Sequence, residues 1–246
     1  MIVGFCGSGN MAAAMARGLV GEVKALLFTD SGSGRAAELA RELWGEVAAS
    51  NAELAERADV VVLAVKPARL AEVAGELAGT KTVVSLLGAT SLDALEDAFP
   101  QADVVRVMPN VAVEVHRGVL CVAGHESPEV RGLLNRLGHV VELPDDQFDA
   151  ATAVMGCAPA YLALAVEALA DAGAAAGLDA ELARELVVET TAGTAELLAE
   201  RHPADLRRAV ASPGGSTEAG LEALDREGAR EAFEAAVRAS LERMRG

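Results

Sequence analysis

The sequence predicts an α/β domain with a doubly wound, mostly parallel sheet, followed by an all-helical domain. Three observations predict it. Apolar runs of strand length alternate with helical stretches through residues 1–147. Those runs are rich in valine and leucine and lack polar alternation, the pattern of strands buried on both faces. Beyond about Gln147 the runs stop, and helix-length segments follow with proline near a start and glycine near an end.

In chain order, residues 1–6 form a strand ending in glycines, and residues 11–20 a helix. Residues 25–29 and 35–43 repeat the pair. Residues 60–65, 82–86, 103–107 and 119–123 are further strands, with helices at 68–77 and 92–98 between them. Pro159 then opens a helix that Gly177 terminates, and Asp179 caps a long helix reaching about Glu200. A Ser-Pro-Gly-Gly turn at 212–215 precedes helices over 217–227 and 229–244. The division expected is an α/β domain over 1–147 and a helical domain over 148–246.

Composition narrows the function. Hydrophobic residues are 52% of the chain and charged residues 24%, a globular balance. Aromatics are 3%, so the core must be built from Ala, Val and Leu. The formal net charge of −16 argues against nucleic acid and anionic membrane surfaces as partners. Any anionic ligand must be held locally, by helix N-termini or single cations. Cys6, Cys121 and Cys157 stand far apart and form no disulfide framework. No secretory pattern is evident, and the 60–65 strand is far too short to cross a bilayer, so the expectation is a cytoplasmic protein without a membrane partner.

The first strand runs into Gly7-Ser8-Gly9-Asn10-Met11-Ala12, a G-x-G-x-x-G/A turn between strand and helix. Gly7 permits the tight turn. Gly9 lets a pyrophosphate approach the backbone, and Ala12 lets the helix pack closely on the strand. The helix N-terminus adds free N–H groups and partial positive charge. The reading is an oxidoreductase that binds NAD(P). Asp30, at the end of the second strand, suits the ribose 2′-hydroxyl of NAD. Ser31, Ser33 and Arg35 follow at once and suit a 2′-phosphate, so the two cofactors stay open.

Ligands of a doubly wound sheet bind at the carboxyl ends of its strands. Lys66-Pro67 follows one strand, and Lys66 is one of only three lysines. Met108-Pro109-Asn110 follows another, with an amide suited to the nicotinamide or the substrate. In the helical half, Ser212-Pro213-Gly214-Gly215-Ser216-Thr217 makes a backbone cradle suited to a carboxylate. No His/Cys spacing suggests a metal, and no nucleophile–base pair is visible. Hydride transfer to an electrophilic substrate needs little acid–base machinery, which fits so sparse an inventory.

Together these residues resemble the pyrroline-5-carboxylate reductase family. The resemblance runs through residues 4–12, 58–67, 106–110, 158–161, 170–173 and 212–217. It implies a Rossmann-type domain followed by a helical dimerisation domain, with NADPH (or NADH) as cofactor and a homodimer or larger oligomer. It implies that Gly7, Ser8, Gly9, Asn10, Met11 and Ala12 bind pyrophosphate. Ser31 would lie by the adenosine ribose or its phosphate, Asn51 on the adenine side, and Val65, Lys66 and Pro67 along the cleft. Gly215, Ser216 and Thr217 would hold the carboxylate of a cyclic imine, with Thr217 acting near the ring nitrogen and Asn110 and Glu200 close by. The chain departs from the family's usual Ser-Gly-Ser-Gly-Pro-Ala-Tyr at 155–161, from Thr-Pro after Asn110, and at 85–89. These departures bear on the substrate more than on fold or cofactor. Two alternatives accompany this reading: a reductase of another cyclic imine or ketimine, and a non-catalytic NAD(P)-binding protein.

Overall fold

A computed structural model describes residues 1–245. It divides into two compact units, Met1–Cys157 with the C-terminal residues from Leu241 on, and Ala158–Ser240.

The first unit is built on an eight-stranded sheet in the order β3-β2-β1-β4-β5-β6-β7-β8. Its strands are β1 (Ile2–Cys6), β2 (Ala25–Thr29), β3 (Glu46–Val47), β4 (Val60–Leu63), β5 (Thr82–Ser85), β6 (Asp103–Pro109), β7 (Gly118–Gly124) and β8 (Gly138–Glu142). Every pairing is parallel except that of β6 with β7. Strand order reverses between β1 and β4, which opens a crevice at their carboxyl ends. All of β4 is buried, as its unbroken Val-Val-Val-Leu run requires.

The helices of this unit are α1 (Asn10–Gly18), α2 (Arg35–Leu43), α3 (Asn51–Arg57), α4 (Leu70–Glu76), α5 (Leu92–Ala98), α6 (Pro128–Leu137) and α7 (Phe148–Ala151). Two apolar layers sandwich the sheet. One holds Phe5, Phe28, Met15 and Ala12–Ala16 of α1. The other holds Leu27, Leu54, Leu63, Leu77 and Leu95. Phe5 stacks on Phe28 with ring centroids 5.5 Å apart. Small residues bring α1 close: a Cβ on Gly18 would stand 2.3 Å from the carbonyl oxygen of Val113.

The second unit contains α8 (Ala158–Ala175), α9 (Ala180–Glu200), α10 (Pro203–Val210), α11 (Ser216–Arg226) and most of α12 (Ala229–Arg245). Gly177, at φ +105°, turns α8 into α9, and Asp179 caps α9 through the Glu181 and Leu182 N–H groups. Gly173 brings α8 against Ala183 of α9. Ala183 is the sole buried residue among those described in this unit. Leu162, Leu164, Leu169, Leu182 and Leu186 are exposed. By length and composition alone, the stretch Asp145–Ala175 is apolar enough to cross a membrane, and almost none of its most apolar part is buried, a feature that the sequence reading passed over.

The expected strands and long helices are present. β3, α6, β8, α7 and α10 were not anticipated. β3 is two residues long, and β8 is an edge strand of half-buried and exposed positions, so neither carries a clear apolar signal. The division falls after Cys157, whereas the sequence suggested 147. The intervening residues pack on the sheet, where the Asn110 amide donates to the Met155 carbonyl.

Phe5→Ala should cost about 3–5 kcal/mol, because the ring is fully buried at the centre of its layer. Urea unfolding followed by circular dichroism measures it, and a loss under about 1 kcal/mol would contradict this account of the core.

Candidate functional site

A cleft of about 860 Å³ opens at the carboxyl ends of β1, β2 and β4. Gly7, Ser8 and Gly9 line it, as do Ser31, Asn51, Val65 and Lys66. These are seven of the eleven positions expected to contact the cofactor.

The glycine turn shows why those residue types stand there. Gly7 has φ +98°, and its N–H bonds the Thr29 carbonyl at 3.1 Å. A Cβ on Gly7 would meet the Ala64 carbonyl oxygen at 2.5 Å. A Cβ on Gly9 would meet nothing within 4 Å, so open space faces the start of α1. Gly9 is the N-cap of α1 and supplies no side-chain cap, which leaves the helix end without a built-in anion. Ala12 is fully buried beneath the turn. The Ser8 hydroxyl donates to the Thr29 carbonyl at 3.0 Å, so it braces β1 against β2. Asn10 is exposed, Met11 is half-buried, and neither lines the cleft.

At the β2 end, the Asp30 carboxylate turns into its own loop. It accepts the Gly32 N–H at 2.8 Å, the Ser33 hydroxyl at 2.8 Å and the Ala36 N–H at 2.9 Å. The Ala36 N–H does most to hold this carboxyl below the usual range, against some desolvation, with help from Ser33 and Gly32. Arg35 reaches back across the cleft margin and donates to Asn10 Oδ1 at 2.6 Å.

Asn51 joins three elements. Its Oδ1 accepts the Thr29 hydroxyl at 2.6 Å and the Cys6 thiol at 3.4 Å, and its Nδ2 donates to Glu76 at 2.6 Å. Burial pushes the Cys6 thiol up to about 11, so it stays a neutral donor. The charged lining comprises Arg35, Lys66 and Arg69 against Asp30 and Glu76, and Arg69 is also paired with Glu72 at 2.7 Å, so positive and negative charges balance at the cleft of an acidic protein. Sequence reasoning missed Arg69 and Glu76. Both belong to the segment after Lys66, and no motif marks them.

Pro67 follows Lys66 into a short 3₁₀ turn and faces a separate depression between α4 and α5. Asn110 is buried and also lies outside the cleft lining. Its Oδ1 accepts the Val119 N–H, and its Nδ2 donates to the Met155 carbonyl at 3.3 Å. In the helical unit, Gly215 is the N-cap of α11, which begins at Ser216 rather than Thr217. Gly215 bonds back to the Ser212 carbonyl, and the Gly214 N–H donates to Glu218 at 2.7 Å. Ser216 and Thr217 are exposed, and Glu200 is the last residue of α9. Among the described residues no group of three or more His, Cys, Asp or Glu could hold a metal.

Comparison with known proteins bears on the whole chain. A family model described as pyrroline-5-carboxylate reductase dimerisation matches residues 145–246, and one described as NADP oxidoreductase coenzyme F420-dependent matches residues 2–88. The pyrroline-5-carboxylate reductase of Synechocystis sp. is 36% identical over 98% of this chain and 96% of its own length. The crystal structure of 1-pyrroline-5-carboxylate reductase from Streptococcus pyogenes superposes with TM-score 0.87 at 30% identity, covering 99% of this chain and 98% of that one. The pyrroline carboxylate reductase of Plasmodium falciparum, solved with NADP bound, gives TM-score 0.85 at 28% identity, covering 99% and 97%.

The two turn glycines should respond differently to alanine. Gly7→Ala meets both a positive φ and a backbone oxygen, and should cost about 1–3 kcal/mol or more. Gly9→Ala should leave stability within about 0.5 kcal/mol, because its Cβ has space. Thermal unfolding of both variants decides it, and equal losses would contradict the geometry.

Proposed function

The chain belongs to the pyrroline-5-carboxylate reductase family, and we propose that it reduces the C=N bond of 1-pyrroline-5-carboxylate to give L-proline, with NADPH supplying the hydride. The observation that carries this reading is the Gly7–Gly9 cleft, whose open glycine face and uncapped helix end fit a dinucleotide. It stands in a chain related over nearly its whole length to reductases of that name.

The turn from Gly7 through Ala12 would hold the pyrophosphate with backbone N–H groups. The loop after β2 favours NADPH over NADH. Asp30 already accepts three bonds from its own loop, so it has little capacity left for a ribose hydroxyl. Ser31 and Arg35 remain to meet a 2′-phosphate, whereas the Ser33 hydroxyl is already donated to Asp30. Asn51 would border the adenine, and Val65 and Lys66 would flank the rest of the cofactor, while Pro67 is turned to the depression between α4 and α5.

For the substrate, the backbone of Gly215 and Ser216 would hold the carboxylate at the head of α11. Glu218 would have to release the Gly214 N–H if that group is also to serve. The Thr217 hydroxyl would hydrogen-bond the ring nitrogen, with Glu200 and Asn110 near the pocket. As the imine carbon gains hydride, the C=N π electrons move to nitrogen, which carries a proton. A hydroxyl is a weak acid, so orientation and carboxylate binding contribute most of the effect.

The helical unit has almost no core of its own, and its leucines face outward. We read the missing cover as a second copy of this chain, forming a homodimer in the cytoplasm. The changed residues at 155–158 favour one second reading, a related cyclic imine as substrate.

Oxidation of NADPH and NADH with pyrroline-5-carboxylate and with a panel of other cyclic imines tests the activity. The expected order is NADPH before NADH and the pyrroline carboxylate before the others. Arg35→Ala should raise KM for NADPH about tenfold and barely change KM for NADH. Thr217→Ala should lower kcat/KM about tenfold, and full retention would remove its role. Light scattering should give twice the 25.2 kDa chain mass, and a monomer would sink the dimer.

A further inference from the structure

Segment 145–157 contains a π-helical turn, Thr152–Gly156, closed by the Cys157 N–H on the Thr152 carbonyl. A π turn is rare and less favourable than an α turn, so it persists where outside bonds hold it. Here β6 and the residue that follows it hold the segment at two points, one before the π turn and one within it.

Asn110 follows the last residue of β6, at the carboxyl end of the sheet where ligands of such folds bind. Its amide has two partners. Oδ1 accepts from Val119 on β7, which fixes the amide's orientation, and Nδ2 donates to the Met155 carbonyl inside the π turn. Arg106 sits four residues earlier with its side chain 5% exposed. Its Nη1 donates to Asp145 Oδ1 at 2.7 Å, and its guanidinium lies 4.3 Å from the centroid of the Phe148 ring. Asp145 in turn accepts the Leu92 N–H with its other oxygen. Thr152 donates to the Phe148 carbonyl at 2.7 Å, which links the arginine contact to the start of the π turn.

As a stability device this arrangement is poor. Arg106 Nε is buried without a partner, and its guanidinium is taken out of water for a carboxylate that stays partly exposed, so the desolvation is poorly offset. What it does supply is direction: one fixed point on β6 and one just past its end, holding the two ends of a short irregular segment.

We propose that Arg106 and Asn110 are positioning residues that clamp segment 145–157 at the carboxyl end of β6 and thereby set the geometry of hydride transfer. Asn110 then acts through the Met155 carbonyl rather than by touching the substrate. The kinetic part rests on the reductase reading; the clamp itself does not.

The test combines hydrogen–deuterium exchange with steady-state kinetics on the full chain. Asn110→Asp keeps the acceptor for Val119 but loses the donor to Met155. Arg106→Lys keeps the charge beside Asp145 but loses the planar contact with Phe148, and Arg106→Met serves if the lysine variant folds poorly. Each variant should speed amide exchange at 152–157 and lower kcat about ten- to hundredfold, with KM for NADPH unchanged. The double variant should lose little more than the worse single one, because both act on one segment. A fall in kcat with exchange at 152–157 unaltered would overturn the proposal and return Asn110 to direct substrate contact. Faster exchange with kcat unaltered would overturn it too. If the unaltered chain turned over no imine, the reductase reading would fall, and the exchange results alone would decide the clamp.

Discussion

The closeness with which the chain passes itself at Gly7 governs the nucleotide half. That residue leaves β1, ties its N–H to the end of β2, and lies so near the end of β4 that no side chain fits between. A Cβ there would wedge β4 away from β1 at the one place where the sheet reverses its order. The crevice exists because these strands meet that tightly and their loops then diverge. Gly9 and Ala12 inherit the arrangement. One leaves a bare helix end facing the crevice, and the other lets that helix lie flat on the sheet.

Charge acts locally on this frame. The chain carries −16 overall, yet acidic residues more than about 10 Å away are largely screened at physiological salt. The groups within reach of the cleft decide what it can bind. Three of those are cations, and the three nearby carboxylates are already engaged: Asp30 by its own loop, Glu76 by Asn51 and Glu72 by Arg69. An acidic protein can therefore present a margin suited to phosphate. The same bonds make the β2 loop a rigid frame on which Ser31, Ser33 and Arg35 stand.

What could be read from sequence divides along a physical line. Gly7, Gly9 and Ala12 were legible because their role follows from having little or no side chain, which residue type alone reports. The valine-rich strands were legible for a similar reason, since burial on both faces leaves no room for polar alternation. Asn110 was legible only as a polar residue in a promising place, and Asn51 only through the family resemblance. An amide both donates and accepts, and its partners are chosen by tertiary contact. For Asn110 the decisive one, Met155, lies 45 residues away. Asp30 shows the same limit, because its position suggested a ribose contact and its loop claimed the carboxylate first. The π turn had no signature either, as its residues would suit an ordinary helix equally well.

The helical unit carries the composition to its consequence. With few aromatics and many alanines, α8 and α9 can approach closely through Gly173 and Ala183, yet that contact buries little. The leucines are left facing outward. A bilayer would cover those of α8, whose run is apolar enough to span one. It would not suit α9, which carries Glu181, Glu185, Glu189 and Glu196 beside Leu182 and Leu186, and charges of that kind are costly in lipid. A second copy of the chain resolves the conflict. Its surface can meet the leucines with apolar side chains and can meet Glu185 and Glu189, which share a face with Leu182 and Leu186 at helical spacing, with hydrogen-bond donors or water at a polar rim.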